Sequence, residues 1–337
     1  MTRSFLLAIS AVVLAVVGIG VALTIGHDRA TPETQPTRRE DVHSARGAPA
    51  VAAERVSQAP AIVGAVELGE ESKTSGLEAV VKFPDGSAVP VVLRTVEIQT
   101  IPKPQRLAEV YEDLAQRANS GDGVAARTLH TWLQHCRHAF ADKASLEKAI
   151  TRLKTERVVT SADGRPPRRL RPGVSIEQVE EGEFREPFEF CEGVSEAQKQ
   201  EAETWLELGA KAGDYKAMQT WAAHKRYSQE AVDYLEALWQ GGYSAALPGL
   251  AIRYGKGVDG GQPDYVRAYA LKLINLKLLE AAYEGSGSPT HRMKLGAVED
   301  SLHGTAALLN PQQTQEAVVL ATGLLRENAN CCLGLWF

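Results

Sequence analysis

Four cysteines are the residues of this 337-residue chain whose chemistry the sequence constrains most. Cys136 and Cys191 flank an irregular stretch of 54 residues, and an oxidising compartment would allow a disulfide between them to close it. In the chain-entropy model, an unstrained bridge over a loop of this length stabilises a fold by about 4 kcal/mol. We therefore predict a Cys136–Cys191 disulfide. The alternative is two reduced, buried thiols, as in a cytosolic domain.

The other two cysteines, Cys331 and Cys332, are adjacent and precede an apolar C-terminal tail. A vicinal disulfide, a redox pair and two unpaired thiols all remain open for them. An apolar tail of this kind is more typical of a segment that docks on its own last helix than of a recognition peptide.

Three histidines near the first cysteine suggest zinc, but their spacing does not favour it. At 3.6 residues per turn, His130 and His135 do not share a helix face, whereas His135 and His138 do. Two ligands are too few for a structural or catalytic zinc site. We predict no metal site and no cofactor.

Carboxylates and glycines give no catalytic pattern either. An acidic run favours a charged loop over acid–base machinery, since no partner base is predicted beside it. Its members are Glu177, Glu180, Glu181, Glu183, Glu186 and Glu189. The triplet at 255–257 lacks the preceding strand and following helix of a phosphate-binding loop. We predict a protein that is not an enzyme.

The composition limits the classes of partner. A net charge of −5 argues against nucleic-acid binding, which usually requires a basic patch or domain. Aromatic residues make up only 6% of the chain. A few of them are candidate anchors for a protein partner, although several of these must lie in the core. These candidates are Trp205, Trp221, Trp239, Tyr243, Tyr254 and Tyr269.

The first residues predict a membrane segment and a tether. Residues 5–25 carry no charge and would cross a bilayer as a helix of roughly 30 Å. We predict a transmembrane anchor or uncleaved signal at 1–26; small residues at 20–22 leave a cleaved signal peptide as the alternative. The long domain that follows a short tail is expected outside the cytoplasm. Residues 27–76, polar and Pro-rich, predict a disordered linker.

Residues 77–102 predict a β-hairpin. Val80, Val81 and Phe83 on one side and Val89 and further β-branched residues on the other flank a Pro-Asp-Gly-Ser turn. We expect the hairpin to pack on its own domain, because an isolated hairpin is only marginally stable. An edge that accepts a partner's strand is the alternative.

Residues 103–337 predict a mainly α fold built from repeated helical hairpins, an α-solenoid, with an irregular insertion at about 158–190. Leu206, Gly213 and Ala217 recur as Leu235, Gly242 and Ala246, a shift of 29 residues, and a further copy lies 92 residues upstream. Such self-similarity is the signature of helical repeats, which bury their apolar faces on neighbouring repeats. The predicted repeat turns contain Gly213, Gly242, Gly255 and Gly257.

The repeats resemble the Sel-one-like repeat family, a branch of the tetratricopeptide-like α-solenoids. The resemblance lies in residues 250–258 (LAIRYGKGV), then Asp264, Tyr265 and Ala268, then residues 279–282 (LEAA). It covers residues 200–283, with a weaker echo at 111–133. The chain departs from the family pattern in two places. A glycine follows Tyr254 directly, and residues 259–263 lengthen the loop before Asp264.

This resemblance implies an adaptor that binds other proteins on a concave helical surface, exported or membrane-anchored in a bacterium. We accordingly expect a non-catalytic scaffold, single-pass in the inner membrane with its bulk in the periplasm. It would bind a protein or peptide of the cell envelope. The alternatives are an envelope hydrolase acting on cell-wall or β-lactam substrates, and a partner-specific chaperone or inhibitor.

Overall fold

The computed structural model describes residues 76–96, 98–286 and 289–329, without the side chains of 284–292. The predicted anchor at 1–26, nearly all of the predicted linker and the pair Cys331–Cys332 lie outside the described residues. Within the described part of the chain, no helix is both long and apolar enough to cross a bilayer.

The described chain is mainly helical, and a small two-stranded antiparallel sheet precedes the helices, as the sequence predicts. The sheet comprises β1 (Leu77–Lys82) and β2 (Ala88–Leu93). The helices are α1 (Tyr111–Asn119), α2 (Gly123–Cys136), α3 (Lys143–Glu156), α4 (Ile176–Val179), α5 (Glu186–Phe190), α6 (Glu196–Gln200), α7 (Ala202–Lys211), α8 (Tyr215–His224), α9 (Gln229–Gln240), α10 (Leu247–Lys256), α11 (Tyr265–Ser286), α12 (Pro289–Ala306) and α13 (Pro311–Glu327).

The hairpin forms because its turn satisfies its own backbone. Phe83 N–H donates to Ser87 O at 2.9 Å, and Gly86 adopts φ 84°, which favours glycine. Val81 and Val89 are paired across the strands and are buried. The two strands pack on α11 and α13, so the helices cover the apolar face of the sheet.

Helices α2 and α8 begin with the same N-cap, and this explains why part of the repeated sequence pattern occurs at both positions. Asp122 accepts a hydrogen bond from Ala125 N–H at 2.9 Å, and Asp214 accepts one from Ala217 N–H at 2.8 Å. Each aspartate follows a glycine with positive φ. The Gly-Asp-x-x-Ala pattern is therefore one turn and one N-cap, used at the start of both α2 and α8.

Neighbouring helices along the chain pack on one another. The pairs in contact include α1–α2, α7–α8, α8–α9, α9–α10, α10–α11 and α11–α12, while α2 packs directly on α7 across the intervening segment. Gly209 of α7 lies in this last contact. A Cβ atom at position 209 would lie 3.0 Å from Ala217 Cβ and 3.3 Å from Gly123 O, so only glycine permits the observed spacing without displacement.

The segment predicted as an irregular insertion has more regular structure than expected. It contains a short ladder, β3 (Val158–Val159) with β4 (Arg168–Arg169), and the helices α4 and α5 joined by a π-helical segment, Glu180–Arg185. Oppositely charged side chains face one another, such as Glu180 with Arg185 at 2.8 Å. Phe184 and other apolar residues form a small core with α3. The prediction of a charged loop for the acidic run was wrong, because all six glutamates lie in α4, the π-helical segment or α5.

Candidate functional site

The predicted disulfide is present. Cys136 at the end of α2 is bonded to Cys191, which directly follows α5, and both residues are buried. The ring of Phe190 lies edge-on to Trp132, with ring centroids 5.7 Å apart. The bond closes the inserted segment at the C-terminal end of α2, and its burial is typical of a structural crosslink.

The six candidate anchors are mostly core residues. Trp205, Trp221, Trp239, Tyr243 and Tyr269 are all buried, and only Tyr254 is half-buried. Their contacts are internal: the ring of Tyr243 stacks on that of Tyr215 with 4.8 Å between centroids, and Trp221 Nε1 donates to Glu230 at 2.9 Å. The five buried rings therefore pack between helices and are not exposed to a partner.

Three of the four predicted turn glycines occupy turns. Gly213, Gly242 and Gly257 have φ values of 83°, 86° and 84°. At Gly257 a Cβ atom would lie 2.0 Å from Gly261 O, so the residue must be glycine. Gly255 is different: it lies inside α10, because the helix continues to Lys256.

The histidines near Cys136 have separate partners. His130 is buried on α2, and its Nδ1 lies 2.8 Å from Ala202 O. Burial lowers the pKa of His130. His138 Nδ1 lies 2.9 Å from Asp163. Among the described residues, no group of three or more His, Cys, Asp or Glu could hold a metal ion.

One polar cluster joins α9, α10 and α11 beside a cavity of about 90 Å³. Tyr254 O–H donates to Glu236 at 2.5 Å, and Arg267 Nη2 donates to the same carboxylate oxygen at 2.7 Å. Burial, followed by the bond to Glu236, raises the pKa of Tyr254. A phenol with a raised pKa is a poor nucleophile at neutral pH, and the cavity is small. We interpret the cluster as a link between helices.

A larger groove lies between α8 and α10, with α9 at its base, and we call it the α8–α10 groove. Its volume is about 280 Å³. Its polar lining residues are Lys216, Gln219 and Arg253, and its small or apolar ones are Ala223, Leu235, Ala245, Pro248 and Gly249. None of the lining residues is acidic. No motif in the sequence predicts this groove.

Arg253 is buried in the wall of this groove, and no acidic residue in the described part of the chain pairs with it. Its side chain donates from Nη1 to Gly249 O at 2.9 Å and from Nη2 to Ala222 O. Its buried Nε–H has no acceptor among the described residues. Burial lowers the pKa of Arg253, but a guanidinium remains protonated in proteins. The groove wall therefore carries a positive charge that only backbone carbonyls compensate.

Lys216 adds a second positive charge. It is half-buried, and no carboxylate of the described residues forms an ion pair with it. Burial and then the charge of Arg127 lower the pKa of its ammonium group. The neighbouring Asp214 accepts two hydrogen bonds from Arg127 Nε, at 2.9 and 3.0 Å, and also caps α8. Asp214 is thus already neutralised, and the groove remains cationic.

Removing the disulfide should destabilise the fold. Replacement of both Cys136 and Cys191 by Ala frees the 54-residue segment between them. We expect the free energy of unfolding to fall by about 4 kcal/mol, because the unfolded chain gains loop entropy. Denaturant unfolding of the oxidised protein and of the double variant measures this difference. Unfolding midpoints that coincide would contradict a stabilising bond.

His130 should make stability depend on pH. Its folded-state pKa lies below the unfolded value of about 6.5, so the unfolded state binds the proton first. Stability is therefore complete above that pH and declines as the pH falls below it. His130→Asn keeps a donor near Ala202 O and should flatten the dependence of the unfolding free energy on pH.

The matched control for this titration is His303→Asn, since His303 is exposed on α12. This variant should keep the pH dependence of the parent protein. If His130→Asn and His303→Asn gave the same slope between pH 7 and 5, the assignment to His130 would be wrong.

Comparison with known proteins identified no relative of this chain. The chain matches no protein-family model, no curated protein and no solved structure. The resemblance to Sel-one-like repeats therefore depends on the residues quoted above.

Proposed function

We propose that this protein is a non-catalytic scaffold that binds a protein or peptide partner in the α8–α10 groove. The observation that carries the proposal is the groove itself, which is lined by two successive helical hairpins and whose cations pair with no carboxylate of residues 76–329 that the structure describes. Its volume of about 280 Å³ lies just below the range of about 300–1,000 Å³ typical of small-molecule pockets. Such a groove suits a side chain or short segment of a larger partner.

The proposal includes a Sel-one-like α-solenoid architecture. Support comes from the sequential packing of helices α7 to α11 and from the identical Gly-Asp caps of α2 and α8. A stack of helical hairpins presents an extended curved surface, which is a common platform for protein partners. The resemblance of residues 250–258 to the family supports the same interpretation.

The proposal also includes a location. The uncharged run at 5–25 supports a single-pass anchor in a bacterial inner membrane, and the polar stretch after it supports a tether. The Cys136–Cys191 disulfide is in keeping with a periplasmic domain, since structural disulfides persist in oxidising compartments. We therefore propose that the helical domain meets its partner in the cell envelope.

Site-specific photocrosslinking of the full-length protein in the cells that produce it tests this proposal. A photoreactive residue in place of Gln219 lies in the groove, and one in place of Lys148 lies exposed on α3. We expect position 219 to give a discrete adduct with one protein that mass spectrometry identifies, and position 148 to give none. Equal adducts from both positions, or none from position 219, would argue against a binding groove.

A further inference from the structure

We propose that the α8–α10 groove recognises a carboxylate of an acidic peptide segment, with Lys216 as its ion-pair partner and Arg253 as a second, buried positive charge. This inference rests on the proposed function and specifies the chemistry of the partner. It follows from the unbalanced charge of the groove, from its apolar lining and from its shape.

Arg253 differs from the arginines that link helices elsewhere in the described chain. Arg127, whose side chain is 16% exposed, pairs with Asp214 at 2.9 Å, and the more exposed Arg267, at 39%, pairs with Glu236 at 2.7 Å. Arg253 is only 7% exposed, yet no described carboxylate pairs with it. A buried charge without a counter-charge is costly, so an anion that enters the groove would be attracted strongly.

Lys216 supplies the accessible contact. It is half-buried at the groove, and its Nζ lies 5.8 Å from the centroid of the Tyr215 ring. Asp214 cannot serve as its partner at full strength because Arg127 already holds both carboxylate oxygens. A bound carboxylate would relieve the repulsion among these cations and complete the ion pair that Lys216 lacks.

The remaining lining favours a peptide over a free inorganic anion. Leu235, Ala245 and Pro248 provide apolar surface next to the charges, and the Gln219 amide can donate to and accept from a peptide backbone. The groove is partly open to solvent, so part of an extended chain can enter it. The chain as a whole carries a net charge of −5, so an acidic segment would be attracted only locally, by the cations of the groove.

Fluorescence anisotropy with two labelled peptides tests the inference. One is a rhodamine-labelled ten-residue peptide that alternates Glu and Ala, and the other has Gln in place of each Glu. With the full-length protein in detergent at low ionic strength, we expect the Glu peptide to bind at least about tenfold more tightly. A tenfold ratio corresponds to about 1.4 kcal/mol, the size of a charge-assisted contact. Added salt should weaken this binding.

Matched charge reversals locate the contact. Lys216→Glu should weaken binding of the Glu peptide at least about tenfold, and Lys216→Gln should weaken it by less, because neutralisation removes attraction without adding repulsion. Lys148→Glu makes the same change in net charge on the exposed face of α3 and should leave binding within about twofold. Circular dichroism and denaturant unfolding establish that each variant is folded.

The outcomes separate this inference from the proposed function. Equal binding of the Glu and Gln peptides would overturn the carboxylate preference, while a photocrosslink at position 219 would still support a binding groove. Failure of both peptides to bind counts against the inference in the same way. Loss of binding in Lys148→Glu equal to that in Lys216→Glu would place the contact elsewhere. Displacement of the Glu peptide by an equal concentration of inorganic phosphate would reduce the groove to a general anion site.

Discussion

The close contact of α2 with α7 is the constraint on which the rest of this structure depends. The two helices are separated in sequence by the inserted segment, yet they must pack together for the first hairpin to join the later ones. Gly209 permits the approach, and the link between Arg127 and Asp214 fastens the start of α8 to α2. The disulfide closes the insertion at the opposite, C-terminal end of α2. The glycine contact and the ion pair thus hold one end of α2, and the disulfide holds the other.

The charge of the α8–α10 groove is a consequence of the contact between α2 and α7. Because Asp214 caps α8 and pairs with Arg127, it is not available to neutralise Lys216. Arg253 is fixed by carbonyls of two helices, which hold its side chain in place without balancing its charge. The same contacts that build the stack therefore leave two cations beside an apolar, open surface. This is the physical basis for proposing a scaffold that binds an acidic partner segment.

The sequence predicted those features that depend on local chemistry. The hairpin turn, the turn glycines Gly213, Gly242 and Gly257 and the bond between Cys136 and Cys191 each depend on a few neighbouring residues or on an expected loop closure. Which of the aromatic side chains are buried could not be predicted, because residue type does not determine which face of a helix is covered. Gly255 was misplaced since the helix runs one residue past it. The groove was missed because Lys216 and Arg253 are 37 positions apart, and only packing brings them to one site.

The most direct test of the central contact is the effect of Gly209→Ala on the free energy of unfolding, compared with Gly304→Ala. Both glycines lie in helices, where alanine ordinarily stabilises by up to about 1 kcal/mol. Position 304 is exposed with open space around it, so its substitution should stabilise the protein. Position 209 would meet Ala217 and the backbone of α2, so its substitution should instead destabilise by roughly 1–3 kcal/mol. Stabilisation by both substitutions would contradict the close packing of α2 on α7.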